Sequence, residues 1–200
     1  MTLFSLVDLF GVSVFAVSGA LRAREKKLDP IGFVTLGVVT ATGGGVLRDA
    51  ILGRVPPFVF QDSVILGVAV AVSLAVFAVN IPQKGLEYFD AVGLGFYSAM
   101  GALLALEKGL PPIPCVLVAV TSAVGGGVMR EVMVHELPFI FRGTLYATAS
   151  ILGACVLLVA HRAGAPDPLA IGLASAIAAG LRILAIRFNW SLPTPRDGER

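Results

Sequence analysis

The segment Gly43-Gly44-Gly45-Val-Leu-Arg48-Asp49 returns 82 residues later as Gly125-Gly126-Gly127-Val-Met-Arg130-Glu131. The recurrence extends well beyond the glycines. Asp8 and Gly11 answer Asp90 and Gly93, Gly19-Ala20-Leu21 answers Gly101-Ala102-Leu103, and Pro30-Ile31 answers Pro112-Ile113. After the next prolines the register slips by one, and Pro57-Phe58-Val59-Phe60 matches Pro138-Phe139-Ile140-Phe141. A period this long repeats a whole packing unit rather than a local motif. The chain must therefore place one three-dimensional unit twice.

The hydropathy of the unit decides how. Apolar runs fall near 3–21, 31–52, 63–79, 90–106, 113–134, 143–160 and 168–186, joined by short connections. The chain is 56% hydrophobic and 14% charged, whereas a soluble domain is about 25% charged. Runs of this length read as membrane-spanning helices, since lipid offers backbone groups no partners. A barrel would alternate apolar and polar residues instead. A net charge of +2 without a basic stripe argues against a nucleic-acid partner. Each copy of the repeat holds three spans, and an odd number turns the second copy upside down in the membrane. The expected fold is an all-α membrane protein of seven transmembrane helices, built as two inverted three-helix repeats (3–80 and 88–161) plus a seventh helix (168–186). Together these make one transmembrane domain over 1–187, followed by a polar tail, 188–200, that is expected to fray.

Basic residues set the orientation. Arg22, Arg24, Lys26, Lys27, Lys84, Arg142, Arg187, Arg196 and Arg200 fall on one side, against Arg54, Lys108 and Arg162 on the other. The N-terminus is expected outside and the C-terminus in the cytoplasm. Ser18-Gly19-Ala20 resembles a cleavage site, but the basic cluster follows the apolar run instead of preceding it, so no cleavage is expected. Cys115 and Cys155 lie in apolar runs and read as small filler. His135 and His161 lie in loops near opposite sides, and Gly43 to Asp49 lacks the Lys-Ser/Thr of a phosphate loop. Nothing here reads as an enzyme or asks for a cofactor or resident metal.

Three consecutive glycines disfavour a helix by about 1 kcal/mol each relative to alanine. With a 1.5 Å rise, Gly43 lies ~18 Å along its span, close to the midplane. The triplets Gly43, Gly44, Gly45 and Gly125, Gly126, Gly127 are therefore expected to break spans 2 and 5 at symmetric points. Exposed helix ends there would line a permeation or binding site between the repeats. Small residues also serve close helix packing, the plainer alternative. Thr40, Thr42 and Ser122 precede the triplets and either offer hydroxyl oxygens to an ion or bond back to their own helix.

Charges inside a membrane are functional candidates. Arg48 and Asp49 are neighbours some 100° apart around a helix, as are Arg130 and Glu131, so each arginine is expected to need a partner elsewhere. Asp8 matches Arg48 in depth, and Asp90 matches Arg130 on the opposite side. Such pairs would act either as latches on a pathway or as structural pins. Arg182, near the end of span 7, reads as a snorkelling arginine.

The doubled Gly-Gly-Gly-x-x-Arg-acid motif in a three-plus-three-plus-one chain resembles the TRIC family of trimeric intracellular cation channels, and its prokaryotic branch in particular. The resemblance spans roughly residues 5 to 187. It implies a homotrimer with one pore per subunit, walls from spans 2 and 5, and permeation by K⁺ and other monovalent cations such as Na⁺. It places the protein in the inner (plasma) membrane of a prokaryote, among membrane lipids and with room for a bound lipid. It carries onto the triplets, Arg48 and Arg130. The acids Asp49 and Glu131 differ between the copies. A secondary transporter for a small zwitterion such as glycine is the competing expectation, because helix ends of opposite sign hold an ammonium and a carboxylate together.

Overall fold

The computed structural model describes residues 3–79, 81–82, 85–142 and 144–193. Lys84, Arg196, Arg200 and the tail beyond 193, all used above to orient the chain or mark its end, lie outside the described residues. Among the described residues seven α-helices run in order: α1 Leu3–Glu25, α2 Pro30–Ile51, α3 Ser63–Ala78, α4 Leu86–Glu107, α5 Pro112–Met133, α6 Ala147–Arg162 and α7 Asp167–Arg187. Among the described residues there are no strands, only an isolated bridge between Thr144 and Ser191. That bridge ties residues just beyond α7 to the loop before α6, so the start of the tail is anchored where fraying was expected.

Local chemistry sets the helix ends. The Asp29 side chain accepts the Gly32 N–H at 2.7 Å and Pro30 opens α2, while Asp62 caps α3 through the Val64 N–H; both are ordinary N-terminal signals. Pro112 plays the same part for α5. Short 3-10 turns, Phe58–Phe60 and Phe139–Phe141, precede α3 and α6 at the two copies of the Pro-Phe motif. α6 begins at Ala147, later than its apolar run suggests, with Thr144 held instead in the bridge to Ser191.

Four helices, α2, α4, α5 and α7, are long and apolar enough to cross a membrane, and α3 and α6 have 16 residues each. α1 packs on α2 and α3 as α4 packs on α5 and α6; α2 and α5 meet at the centre, and α1 crosses α4. α7 packs mainly on the second repeat, against α4 and α6. The duplication is visible atom by atom. A Cβ on Gly11 would strike the Tyr97 ring, and one on Gly93 the Phe15 ring. A Cβ on Gly19 would strike the Leu36 carbonyl, Gly37 and Thr40, and one on Gly101 would strike Val118, Ala119 and Ser122. Every partner in one set is the other set's partner displaced by 82. Two pairs of left-handed residues obey the offset as well: Lys27 (φ 55°) answers Gly109 (φ 75°), and Gly53 (φ 69°) answers His135 (φ 56°).

Candidate functional site

The expected break at the glycine triplets is not there. α2 and α5 are each continuous through residues 43–45 and 125–127. Opening a helix inside apolar surroundings strands backbone N–H and C=O groups at several kcal/mol each. That outweighs the poor helix propensity of glycine, a value set in water. The glycines instead bring the two backbones together. A Cβ on Gly44 would collide with the Ser122 carbonyl oxygen, and one on Gly126 with the Thr40 carbonyl oxygen. Gly43 faces Met129 and Gly126, while Gly125 faces Leu47 and Gly44. Partners descend along α5 as they ascend along α2, so the helices cross antiparallel about the pseudo-two-fold axis.

The hydroxyls around the crossing are mostly used locally. Thr40 donates to the Leu36 carbonyl at 2.6 Å and Thr42 to the Val38 carbonyl at 2.8 Å, the back-bonding pattern of threonine in apolar helices. The Ser122 hydroxyl is buried without a hydrogen-bond partner.

Beyond the crossing, in opposite directions, lie two arginine clusters. At the first, Arg48 from α2 and Asp49 are both buried. Arg48 Nη1 is 3.6 Å from Asp8 Oδ1 on α1, and Arg48 Nε donates to Asp49 Oδ1 at 2.9 Å. The adjacent acid was expected to face away. The arginine side chain, longer than the step between neighbouring helical positions, folds back to it. Asp49 Oδ2 also accepts the Phe58 N–H at 2.8 Å, fastening the 3-10 turn to α2. The Tyr97 hydroxyl of α4 donates to the Ala41 carbonyl at 3.2 Å. Asp8, Thr42, Arg48, Asp49 and Tyr97 border a cavity of ≈ 20 Å³, room for about one water.

The second cluster repeats these groups and adds to them. Arg130 Nη1 donates to Asp90 Oδ1 at 2.7 Å and to the Ser18 hydroxyl, and Nε donates to Glu131 Oε1 at 2.9 Å. Arg130, Asp90 and Glu131 are fully buried. Arg22 from α1, counted above only among the basic residues that orient the chain, is buried and reaches Glu131 Oε1 at 2.9 Å. Arg182 does not snorkel. It is 2% exposed, with its guanidinium 5.1 Å from the Tyr146 ring centroid and Nη2 3.9 Å from Glu87. The Phe139 ring lies 5.0 to 5.9 Å from the guanidinium groups of Arg22, Arg130, Arg142 and Arg182, within cation–π range. A cleft of ≈ 430 Å³ bordered by Arg22, Glu25, Glu87, Phe139 and Arg142 opens from this end.

Ser18, Arg22, Tyr97, Phe139, Tyr146 and Arg182 are the site residues that the sequence alone did not single out. The repeat held one clue: Arg22 answers Leu104 at the 82-residue offset, a charge where the other copy keeps an apolar residue.

A family model described as Glycine transporter matches the chain twice, over residues 5–80 and 87–162. The UPF0126 inner membrane protein YadS of Escherichia coli strain K12 is 36% identical over 194 residues, covering 94% of each chain. A UPF0126 membrane protein of Deinococcus radiodurans is 40% identical over 154 residues, covering 74% of this chain and 72% of its own. Among solved structures, the TRIC orthologue from Rhodobacter sphaeroides superimposes with a TM-score of 0.89 at 35% identity, over 95% of this chain and 100% of its own. A second TRIC cation channel structure gives a TM-score of 0.88 at 34% identity over 100% of both chains. Matched along its length in both sequence and fold, the chain belongs to the prokaryotic branch of the TRIC family and to the family that the Glycine transporter model describes.

Proposed function

We propose that this protein is a channel for monovalent cations, K⁺ among them, with one pathway per subunit of a homotrimer, running along the crossing of α2 and α5. The observation that carries this reading is the pair of buried arginine–carboxylate clusters on either side of a backbone-to-backbone crossing, in a chain whose solved relatives are TRIC cation channels. Carboxylates that neutralise Arg48 and Arg130 remove the positive field that otherwise repels cations. With Gly44 and Gly126 in contact, permeation requires α2 and α5 to part. The Thr40 and Ser122 carbonyls then face the gap, each with a free lone pair for a partly dehydrated ion. Asp8 and Asp90 serve as latch partners that hold the arginines while the pathway is shut. The reading keeps the N-terminus outside and the C-terminus cytoplasmic in a prokaryotic inner membrane. Purified protein in a planar bilayer under asymmetric KCl tests it: unitary currents should reverse near the K⁺ equilibrium potential. Reversal near the Cl⁻ potential would reject cation selectivity.

A carrier for glycine is the second reading, favoured by the description of the matching family model and by acid and base side by side at each end. Concentrative uptake of labelled glycine into vesicles, without unitary current, would select it.

A further inference from the structure

The two clusters are symmetric in backbone and unlike in charge. At the Arg48 end, one buried guanidinium stands against two buried carboxylates, Asp8 and Asp49. At the Arg130 end, three buried guanidinium groups, Arg22, Arg130 and Arg182, stand against two, Asp90 and Glu131. The difference has two sources. Arg22 replaces what is Leu104 in the other copy, and Arg182 arrives on α7, which lies outside the repeat and packs mainly on the second half.

We infer that Arg182 breaks the functional symmetry of the pathway, acting as a positioning and charge-setting residue that makes the Arg130 end the less permissive mouth for cations. This rests on the channel reading above. Arg182 Nη2 approaches Glu87 at 3.9 Å, its Nε is buried without a hydrogen-bond partner, and its guanidinium lies over Tyr146 and 5.8 Å from the Phe139 ring. Phe139 in turn sits 5.3 Å from the Arg130 guanidinium. Arg182 thus backs the wall against which Arg130 rests, and among the described residues no second arginine is stacked with Arg48 on a shared ring in this way. Glu25 and Glu87 have side chains 44% and 46% exposed, so water screens them more than the buried groups. At the other end Arg54 is itself partly exposed and screened in the same way.

A fixed positive surplus depletes cations at the mouth that carries it and a negative surplus enriches them. K⁺ moving from the Asp8 end towards the Arg130 end therefore carries more current than K⁺ moving back at the opposite voltage. Single channels in symmetric low KCl test this. The ratio of currents at equal and opposite voltages should be about two- to threefold, and should shrink towards one in 1 M KCl, where the Debye length is ~3 Å. Arg182→Gln should bring the ratio to about one and Arg182→Lys should keep it. Glu87→Gln, which removes a negative charge from the same mouth, should raise it. A purely structural role predicts that Arg182→Gln and Glu87→Gln shift the ratio in the same direction, since each breaks the same contact; that result overturns the inference. A conducting wild type with linear current overturns it alone, whereas a wild type with no unitary current overturns the channel reading and this inference with it. Should Arg182→Gln fail to assemble, Glu87→Gln decides.

Discussion

Gly44 lies so close to the Ser122 carbonyl oxygen that no Cβ fits between them, and the same holds for Gly126 and Thr40. Without a hydrophobic driving force between helices in lipid, association depends on packing of this kind. Alanine at either glycine gains up to about 1 kcal/mol of helix propensity, but forces a backbone-on-backbone contact apart, at about 1–3 kcal/mol for overpacking. Each single substitution should lower the thermal stability of the purified protein. The double substitution should cost less than the sum, because one Cβ already separates the helices. Strict additivity in a double-mutant cycle would argue against a shared crossing.

The two carboxylate partners should differ in weight. Asp90 is fully buried and 2.7 Å from Arg130, whereas Asp8 is 8% exposed and 3.6 Å from Arg48. Removing one partner of a buried pair costs about 3–5 kcal/mol. Asp90→Asn should approach that figure in an unfolding measurement, and Asp8→Asn should fall well below it. If Asp8 latches Arg48, Asp8→Asn should also alter open probability or admit anions. A mere pin would leave the selectivity of surviving channels unchanged.

Lys27 and His135 hold left-handed backbone where their counterparts are Gly109 and Gly53. An L-residue with a Cβ loses about 1–2 kcal/mol there, partly offset by the extra freedom that glycine brings to the unfolded chain. His135→Gly should therefore raise stability by about 0.5–1 kcal/mol, with Lys27→Gly similar. Gly53→Ala should do the reverse. Melting curves of the three variants in one detergent are the check.

Lys26 Nζ lies 2.5 Å from Glu136, joining the loop after α1 to the loop after α5, and Arg142 approaches the same carboxylate at 3.5 Å. The Lys26 hydrogen bond and charge hold the Glu136 carboxyl below its ordinary value of 4.5. A depressed carboxylate contributes stability that is present above its unfolded pKa and is lost as pH falls through the folded one. Lys26→Met should therefore melt slightly below the wild type at pH 7, and the two curves should converge below the folded pKa. The exposed setting keeps the difference small, and a gap that widens on acidification would contradict this assignment.

Hydropathy and repetition are additive signals along the chain, so the number of spans, their order and their inversion were readable from residues such as Gly43 and Gly125 without coordinates. The pairing of Asp8 with Arg48 and of Asp90 with Arg130 was likewise approachable, because helical rise converts residue number into depth. The continuity of α2 and α5 was not, since it depends on what surrounds the glycines: a partner helix close enough that its backbone packs against them. Nor was the contact between Arg48 and Asp49, which turns on how far a flexible side chain folds rather than on the angle of its Cα. Arg22 and Arg182 were out of reach for a third reason. One looks like a loop residue and the other like a snorkelling one until Glu131, Tyr146 and Phe139, distant in sequence, close around them. Local pattern determined the architecture; the charge of each arginine cluster was settled by which distant side chains the packing brought together.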